Sequence, residues 1–594
     1  MLTVSSSRLR SGLLTSLALC SAGVVFANCG FGGADGDTGA AGTGSTGSAG
    51  TGNNSTGEAG TTGTAGTGST GAAGTGVATG SAGTTGNGTG TAGTTGAAGV
   101  TGGAGTGATG AAGTGSTPGT FKNYELSGSF PTATIAIPTK AGGKLTYSKF
   151  VVHNQFLAES CAIADYNDDG IPDVSAGRLW YAGTGNAAAP INMTGHFFRP
   201  GHGALPKAGA GPEIDTGVSD DWSDFPWDVN GDGAADIINI SNCDVNEVMY
   251  TNPKIGIVQP HATAYWYQNP GKAALAATPD QNWPARLMHG DVRLEQHGLV
   301  DMNGDGFPEF WGACKSCGTS KGYYQKDPAN PTAGWTFKAV SAAVVFPFGG
   351  TGWLHGQGAG YVNNDKMADL MSREGIWIQG PNGTWGTEAC ATPTSTACMI
   401  KTPLYDQSGG DQKGASHMYG VDMDIDGCGD VVGADWAHGV GLSWYQQGKT
   451  GGNCTGTFTK RQFMADVNAA DTAKWGAGFT QPHALQVVDM DGDGRPDVIT
   501  GKMRFAHPNG YGDPDLTGTP YLYVFQNVAT PDSRNGGPIT LKPIKVDGDP
   551  AQTAGTPAGG MGVGRQLSVG HINTDGIPDI CISSKVGLAV FLGQ

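Results

Sequence analysis

The stretch Asp489-Met490-Asp491-Gly492-Asp493-Gly494-Arg495-Pro496-Asp497 constrains this chain more than any other. Carboxylates at its first, third, fifth and ninth positions, with a glycine at the sixth for a sharp turn, can point several hard oxygens at one centre, as calcium requires. The same pattern stands at Asp165-Asn167-Asp169-Asp173, Asp228-Asn230-Asp232-Asp236, Asp301-Asn303-Asp305-Glu309 and Asp422-Asp424-Asp426-Asp430, each with glycine at its sixth position. These five complete copies are read as calcium ligand sets. Two further copies are degraded. Tyr361-Asn363-Asp365-Lys366-Asp369 lacks the first carboxylate and the glycine, and His571-Asn573-Asp575-Gly576-Asp579 begins on a histidine.

The first positions of the copies are separated by 63, 73, 60, 61, 67 and 82 residues. Such spacing is too long for a calcium solenoid of nonapeptides and suits one four-stranded sheet plus loops per repeat. The expected fold is therefore all-β, a seven-bladed β-propeller over residues 121–594, with each calcium loop joining the first and second strands of a blade. Runs 484–490, 497–503, 520–528 and 539–546 of the sixth repeat are rich in β-branched and aromatic residues and bounded by turn formers. The seventh repeat has only 579–583 and 587–592 after its loop, whereas residues 121–156 hold surplus strand-like runs such as 132–137 and 150–152. The N-terminal run is expected to supply the last blade's outer strand and seal the ring. An EF-hand does not fit, because position 12 of the loops is Ala176, Asn239, Gly312, Gly433 and Thr500 where a bidentate Glu is needed.

Ahead of the repeats, residues 1–27 carry Arg8 and Arg10 and then an apolar run from Gly12 to Ala27, the form of an export signal. Cleavage before Asn28 would release a secreted chain, and Cys29 offers lipid attachment at the cell surface as the alternative. Residues 28–120, nearly all Gly, Thr, Ala and Ser, read as a flexible linker with a root-mean-square span of about 50 Å. The formal net charge of −17, with clustered acid in the loops, argues against nucleic acid as a partner. A closed ring is expected to act as a monomer. In an exported chain the cysteines are disulfide candidates first. Cys314 with Cys317, Cys390 with Cys398 and Cys428 with Cys454 are the local pairs, and the odd number beyond Cys29 leaves one cysteine over.

The loops resemble the D-x-[DN]-x-D-G-x-x-D loops of the FG-GAP or VCBS repeat family, which includes the integrin α-chain propeller. That resemblance implies the propeller fold and leaves adhesion, ligand binding and catalysis all open. Trp266-Tyr267-Gln268-Asn269-Pro270, Gln296-His297-Gly298 and Thr500-Gly501-Lys502 leading to Ala506-His507 are similar to a subgroup that includes the propeller of fungal aldos-2-ulose dehydratase. This implies sugar or polysaccharide chemistry.

Four to six residues before each loop stand Glu159, Trp222 or Ser223, His297, His355, His417, His483 and Arg565. In a propeller the strand entering the loop is innermost, so its start faces the central channel opposite the calcium loops. Four histidines are expected to converge there. The second strands return Arg373, Glu374, Asp435, His438, Lys502, Arg504 and His507 to the same face. Candidate catalytic residues are His297, His355, His417, His483, Lys502 and His507, with Glu159 or Asp435 completing an additional transition-metal site. Trp266, Tyr267, Trp444 and Tyr445 are expected to pack between blades. Three readings stay open: a module recognising a carbohydrate or protein ligand, a sugar lyase or dehydratase, and a purely structural envelope protein.

Overall fold

A computed structural model of the chain describes residues 145–594 other than 155, 185–191, 200–220, 242–250, 253–256, 259–262, 293, 315–316, 318, 328, 341–354, 364, 366, 373–374, 387–389, 391–396, 401–403, 405–414, 505, 507–513, 517, 549–559 and 574. The signal and linker expected over 1–120, the run 132–137, Arg373, Glu374, His507 and Cys243 lie outside the described residues. Among the described residues, no helix is long and apolar enough to cross a membrane.

The architecture is a β-propeller arrangement of small antiparallel sheets. Among the described residues, five sheets have four strands each. The sixth-repeat sheet, for example, runs Leu485–Val488, Asp497–Gly501, Leu522–Val528 and Thr540–Asp547, with the Asp489-to-Asp497 loop between its first two strands. The sequence spacing predicts seven separate blades. The hydrogen bonding instead fuses the fourth and fifth repeats into one nine-stranded sheet, through a parallel pairing of Gln357–Gly360 with Met418–Val421. Glycine is the physical cause. A Cβ on Gly358 would meet the Met418 carbonyl at 1.8 Å, and one on Gly360 the Gly420 carbonyl at 2.3 Å, so only bare backbones approach closely enough to pair.

Second strands such as Asp430–Ala434 and Asp497–Gly501 are buried at every position, because both of their faces meet neighbouring sheets. This explains their continuous β-branched runs, Val431-Val432 and Val498-Ile499, in place of strict alternation. Apolar clusters lie between successive sheets all the way round, and Ile163, Val174, Cys581 and Val590 close the last sheet onto the first. Adjacent strand residues serve opposite neighbours. Trp266 packs toward the third sheet and Tyr267 toward the first, while Trp444 packs toward the sixth repeat and Tyr445 toward the fourth. These aromatics are core, not a sugar platform.

The outer strand of the last sheet is Tyr147–His153, antiparallel to Gly587–Gly593 with Tyr147 opposite Gly593. The three local cysteine pairs form disulfides, and a fourth joins Cys161 to Cys581 across 420 residues of sequence. That bond fastens the first sheet to the last. Replacing both of these cysteines by alanine should lower unfolding free energy by about 2–5 kcal/mol, read from chemical denaturation; an unmoved midpoint would mean that strand pairing alone seals the ring.

Candidate functional site

The Asp-rich loops share one internal hydrogen-bond scheme. In the first, Asp165 accepts from the N–H groups of Asp169 (3.1 Å) and Gly170 (2.8 Å), Asn167 accepts from Asp169 N–H (3.0 Å), and Asp169 accepts from Ile171 N–H (2.8 Å). The ninth-position carboxylate has a distinct task. Asp173 takes the Tyr166 N–H with one oxygen (2.9 Å) and the Gly183 N–H of the third strand with the other (2.8 Å). It therefore clasps three strands of its sheet at once. Asp497 does the same with Met490 and Asn527, and the degraded loops keep the clasp through Asp369 and Asp579.

The first and third positions gather in both of the clustered loops, joined by the ninth in one and the fifth in the other. Asp489, Asp491 and Asp493 each bring a ligand atom within 4.8 Å of the others, as do Asp422, Asp424 and Asp430. Burial first, and then the neighbouring loop carboxylates, push Asp422 up to about 6 and Asp489 up to about 7 against the opposing loop N–H bonds. A bound cation would relieve that cost, so the donor set fits a hard divalent ion.

At the opposite ends of the first strands a second cluster forms. Glu295, His355, His438 and His483 are all buried, and their ligand atoms lie within 4.8 Å of one another. The three imidazoles meet nearly perpendicular to one another, with centroids 4.6, 4.8 and 5.4 Å apart. His438 Nε2 lies 2.8 Å from His355 Nε2, and Glu295 reaches His483 Nε2 at 3.2 Å and His355 Nε2 at 3.8 Å. The Gln296 amide spans two rings from outside, its carbonyl 3.0 Å from His355 Nδ1 and its nitrogen 3.2 Å from His483 Nδ1. Nε2 atoms are thus turned inward; His355 Nδ1 donates to the Gln296 carbonyl, which leaves its Nε2 lone pair for a metal, whereas the Gln296 nitrogen donates to His483 Nδ1, which places the His483 proton on Nε2 toward Glu295 until an ion displaces it.

Arg565 anchors the other side. Its guanidinium pairs with Glu295 and with Glu159 (3.3 Å), and stacks on Trp222 at 4.0 Å. Lys585 lies 3.9 Å from the remaining Glu159 oxygen. A buried carboxylate pair forms the adjoining wall. Asn239 donates to both Asp221 and Asp224, and burial followed by the Asp221 charge pushes Asp224 well up.

The expectation of four converging histidines needs correction. His355 and His483 converge, joined by His438 and Glu295, but His297 and His417 do not enter the cluster. His417 Nε2 instead donates to the His297 carbonyl at 3.1 Å, His297 Nδ1 lies 3.2 Å from Ser223 Oγ, and both rings pack on Trp311. The reason is register: Glu295, His355 and His483 sit six positions before their loops and His438 follows a second strand, whereas His297 and His417 sit four and five before. Nor does either proposed completing carboxylate join. Glu159 is engaged with Arg565, and Asp435 pairs with Lys460 at 3.0 Å. Lys502 is buried elsewhere on this face, donating to Thr480 Oγ1 and to the Asp515 carbonyl.

Burial, reinforced by a neighbouring imidazole, pushes both His297 and His417 down to about 3. The unfolded chain takes up these protons near pH 6.5, so unfolding binds protons between pH 6.5 and 3 and stability falls on acidification through that window. Each group contributes about 1.4 kcal/mol per pH unit there. The double variant His297→Gln, His417→Gln should show a shallower fall of Tm between pH 7 and 5 than the parent by calorimetry. Equal slopes would show that the rings protonate within the fold.

No family model matches the chain, and no curated protein matches it. Among solved structures the chain is similar to the V. cholerae biofilm matrix protein Bap1, with 11% identity over 76% of this chain and 83% of that one and a TM-score of 0.25. It is also similar to the Bacillus licheniformis rhamnogalacturonan lyase PL11, with 13% identity over 72% of this chain and 67% of that one and a TM-score of 0.21. At these TM-scores neither likeness bears on the site.

Proposed function

We propose that the chain is an exported seven-bladed propeller, tied by calcium at its five complete loops, whose funnel is a transition-metal site for a lyase or dehydratase acting on sugars. The seven-blade count treats the nine-stranded sheet as two blades joined by the close Gly358 and Gly360 contacts. The observation that carries the functional reading is the buried Glu295, His355, His438 and His483 cluster.

Three imidazoles with a carboxylate beside them form the donor set of a zinc-class site. His355, His438 and His483 would hold the ion, which when bound acts as a Lewis acid on a sugar carbonyl oxygen. Glu295, fixed beside the rings by Arg565, accepts the proton from the carbon next to that carbonyl. The electron pair left behind forms the double bond and expels the oxygen substituent one carbon further on, which takes the proton back from Glu295 and departs as water or an alcohol, giving an unsaturated sugar. Arg565 adds a preorganised positive charge, and burial of the cluster excludes water.

The test is turnover of oxidised sugars and acidic polysaccharides by the metal-loaded full chain, followed by ultraviolet absorbance of the unsaturated product. Product that appears with the parent and not with Glu295→Gln supports the lyase; absence of product across both substrate classes counts against it. One observation favours recognition of a carbohydrate or protein ligand without turnover: the cluster is internally bonded through Gln296 and Arg565, so it can stand as a rigid hub. Saturable glycan binding by metal-free protein, without product, would select that reading.

A further inference from the structure

We propose that Cys314, Cys317 and His289 form a redox-gated site for a thiophilic divalent cation of the zinc class, closed as a disulfide and opened by a thiol reductant. The three ligand atoms lie within 4.8 Å of one another, in a place separate from the funnel cluster. His289 ends the last strand of the second sheet, Ala285–His289, and Cys314 ends the second strand of the third, Glu309–Cys314. The site thus falls between two neighbouring sheets, and its independence from the proposed lyase lets each be tested alone.

Several observations distinguish it from an ordinary structural disulfide. Cys317 is exposed while Cys314 is buried, so an attacking thiolate can reach one sulfur only. The Cys317 N–H donates to Cys314 Sγ at 3.2 Å, a bond that favours thiolate over thiol once the disulfide opens. Gly318 follows Cys317 in the sequence, giving Cys-x-x-Cys-Gly.

The imidazole is prepared in the same way. His289 Nδ1 lies 3.1 Å from both the N–H and the carbonyl of Asp291, so when Nδ1 donates to that carbonyl the lone pair is on Nε2. Tyr324 links the two halves: its hydroxyl lies 2.7 Å from the Asp291 carbonyl and 2.6 Å from the Ala313 carbonyl, and its ring packs on His289 at 4.9 Å. The ligands are therefore held in place by backbone on both sides.

The step balances. A glutathione-class thiol pair reduces the Cys314–Cys317 disulfide with two electrons and two protons and leaves as its own disulfide. The cation then binds both sulfurs and the imidazole and releases the two thiol protons. A glutathione-class disulfide reverses the change: it takes the two electrons and two protons, leaves as two thiols, re-forms the Cys314–Cys317 bond and expels the cation.

The test is a cobalt(II) titration of the full chain without oxygen, before and after phosphine reduction. Reduced parent protein should develop a near-ultraviolet thiolate-to-cobalt band saturating at about one equivalent, lost in Cys314→Ala, Cys317→Ala and weakened at least about tenfold in His289→Ala. The oxidised chain should show no band, and His438→Ala with His483→Ala should leave it intact. A band of equal strength without Cys314 and Cys317 would overturn the site. Should reduction unfold the chain, alkylation of Cys317 in a glutathione buffer supplies the second measurement. Zinc should raise its reduced fraction in the parent and not in His289→Ala; no effect of zinc in the parent would overturn the proposal.

Discussion

Removing calcium from the full chain should unfold it or lower its Tm by tens of degrees. An ion at about one hundred times its Kd stabilises the folded state by about 2.7 kcal/mol. Five occupied loops would contribute about 14 kcal/mol, comparable to the whole net stability of about 5–15 kcal/mol expected of a domain. The physical origin is local: chelation leaves acidic side chains crowded at the turn between the first and second strands, with Asp422, Asp424 and Asp430 or Asp489, Asp491 and Asp493 facing one another. The ninth-position clasps of Asp173 and Asp497 set a floor, since their N–H bonds need no ion. Calorimetry with and without a calcium-selective chelator measures the effect. A shift of only a few degrees would mean that the clasps hold the loops and that calcium does not.

The second large effect is expected at the funnel, where two substitutions should separate metal binding from chemistry. His438→Ala with His483→Ala should abolish the transition metal, leaving calcium content and the disulfides unchanged. Glu295→Gln should keep the metal and lower turnover by about 10²–10⁴-fold, the usual contribution of a positioned general base. Elemental analysis and the product assay read the two quantities separately. If Glu295→Gln lost the metal as completely as the histidine variant, Glu295 would be a fourth ligand and the base would have to be sought elsewhere. If neither variant changed metal content, the imidazoles would be a packing feature of the channel.

Much of this site is written in the sequence, but in a register that is easy to miss. Counting back a fixed six residues from each loop gives Glu159, Trp222, Glu295, His355, Ser416, His483 and Arg565. Five of these are joined in one network through Arg565 and the imidazoles, and Trp222 supports it. A window of four to six residues selects His297 in place of Glu295 and His417 in place of Ser416, because histidine attracts notice and a strand start two positions out of phase does not. His438 follows a second strand, where no common offset repeats, so its partnership with His355 emerges only from the fold.

The Asp-rich loops were legible because their carboxylates and the turn glycine are contained in nine residues. The sheet fusion was not, since Gly358 and Gly360 look like weak strand formers until the backbone of Met418 to Gly420 is seen against them. Nor was the Cys161–Cys581 bond, whose partners meet only because the first and last sheets are neighbours. Local chemistry reads directly from sequence, whereas contacts made by ring closure wait for the ring.

The most direct measurement is the X-ray absorption spectrum, at the metal edge, of the full chain loaded with one equivalent of zinc under oxidising conditions. The expected first shell is nitrogen and oxygen, with outer-shell scattering from three imidazole rings, as His355, His438 and His483 require. A shell of oxygen alone without imidazole scattering, or one containing sulfur, would contradict a metal-centred funnel.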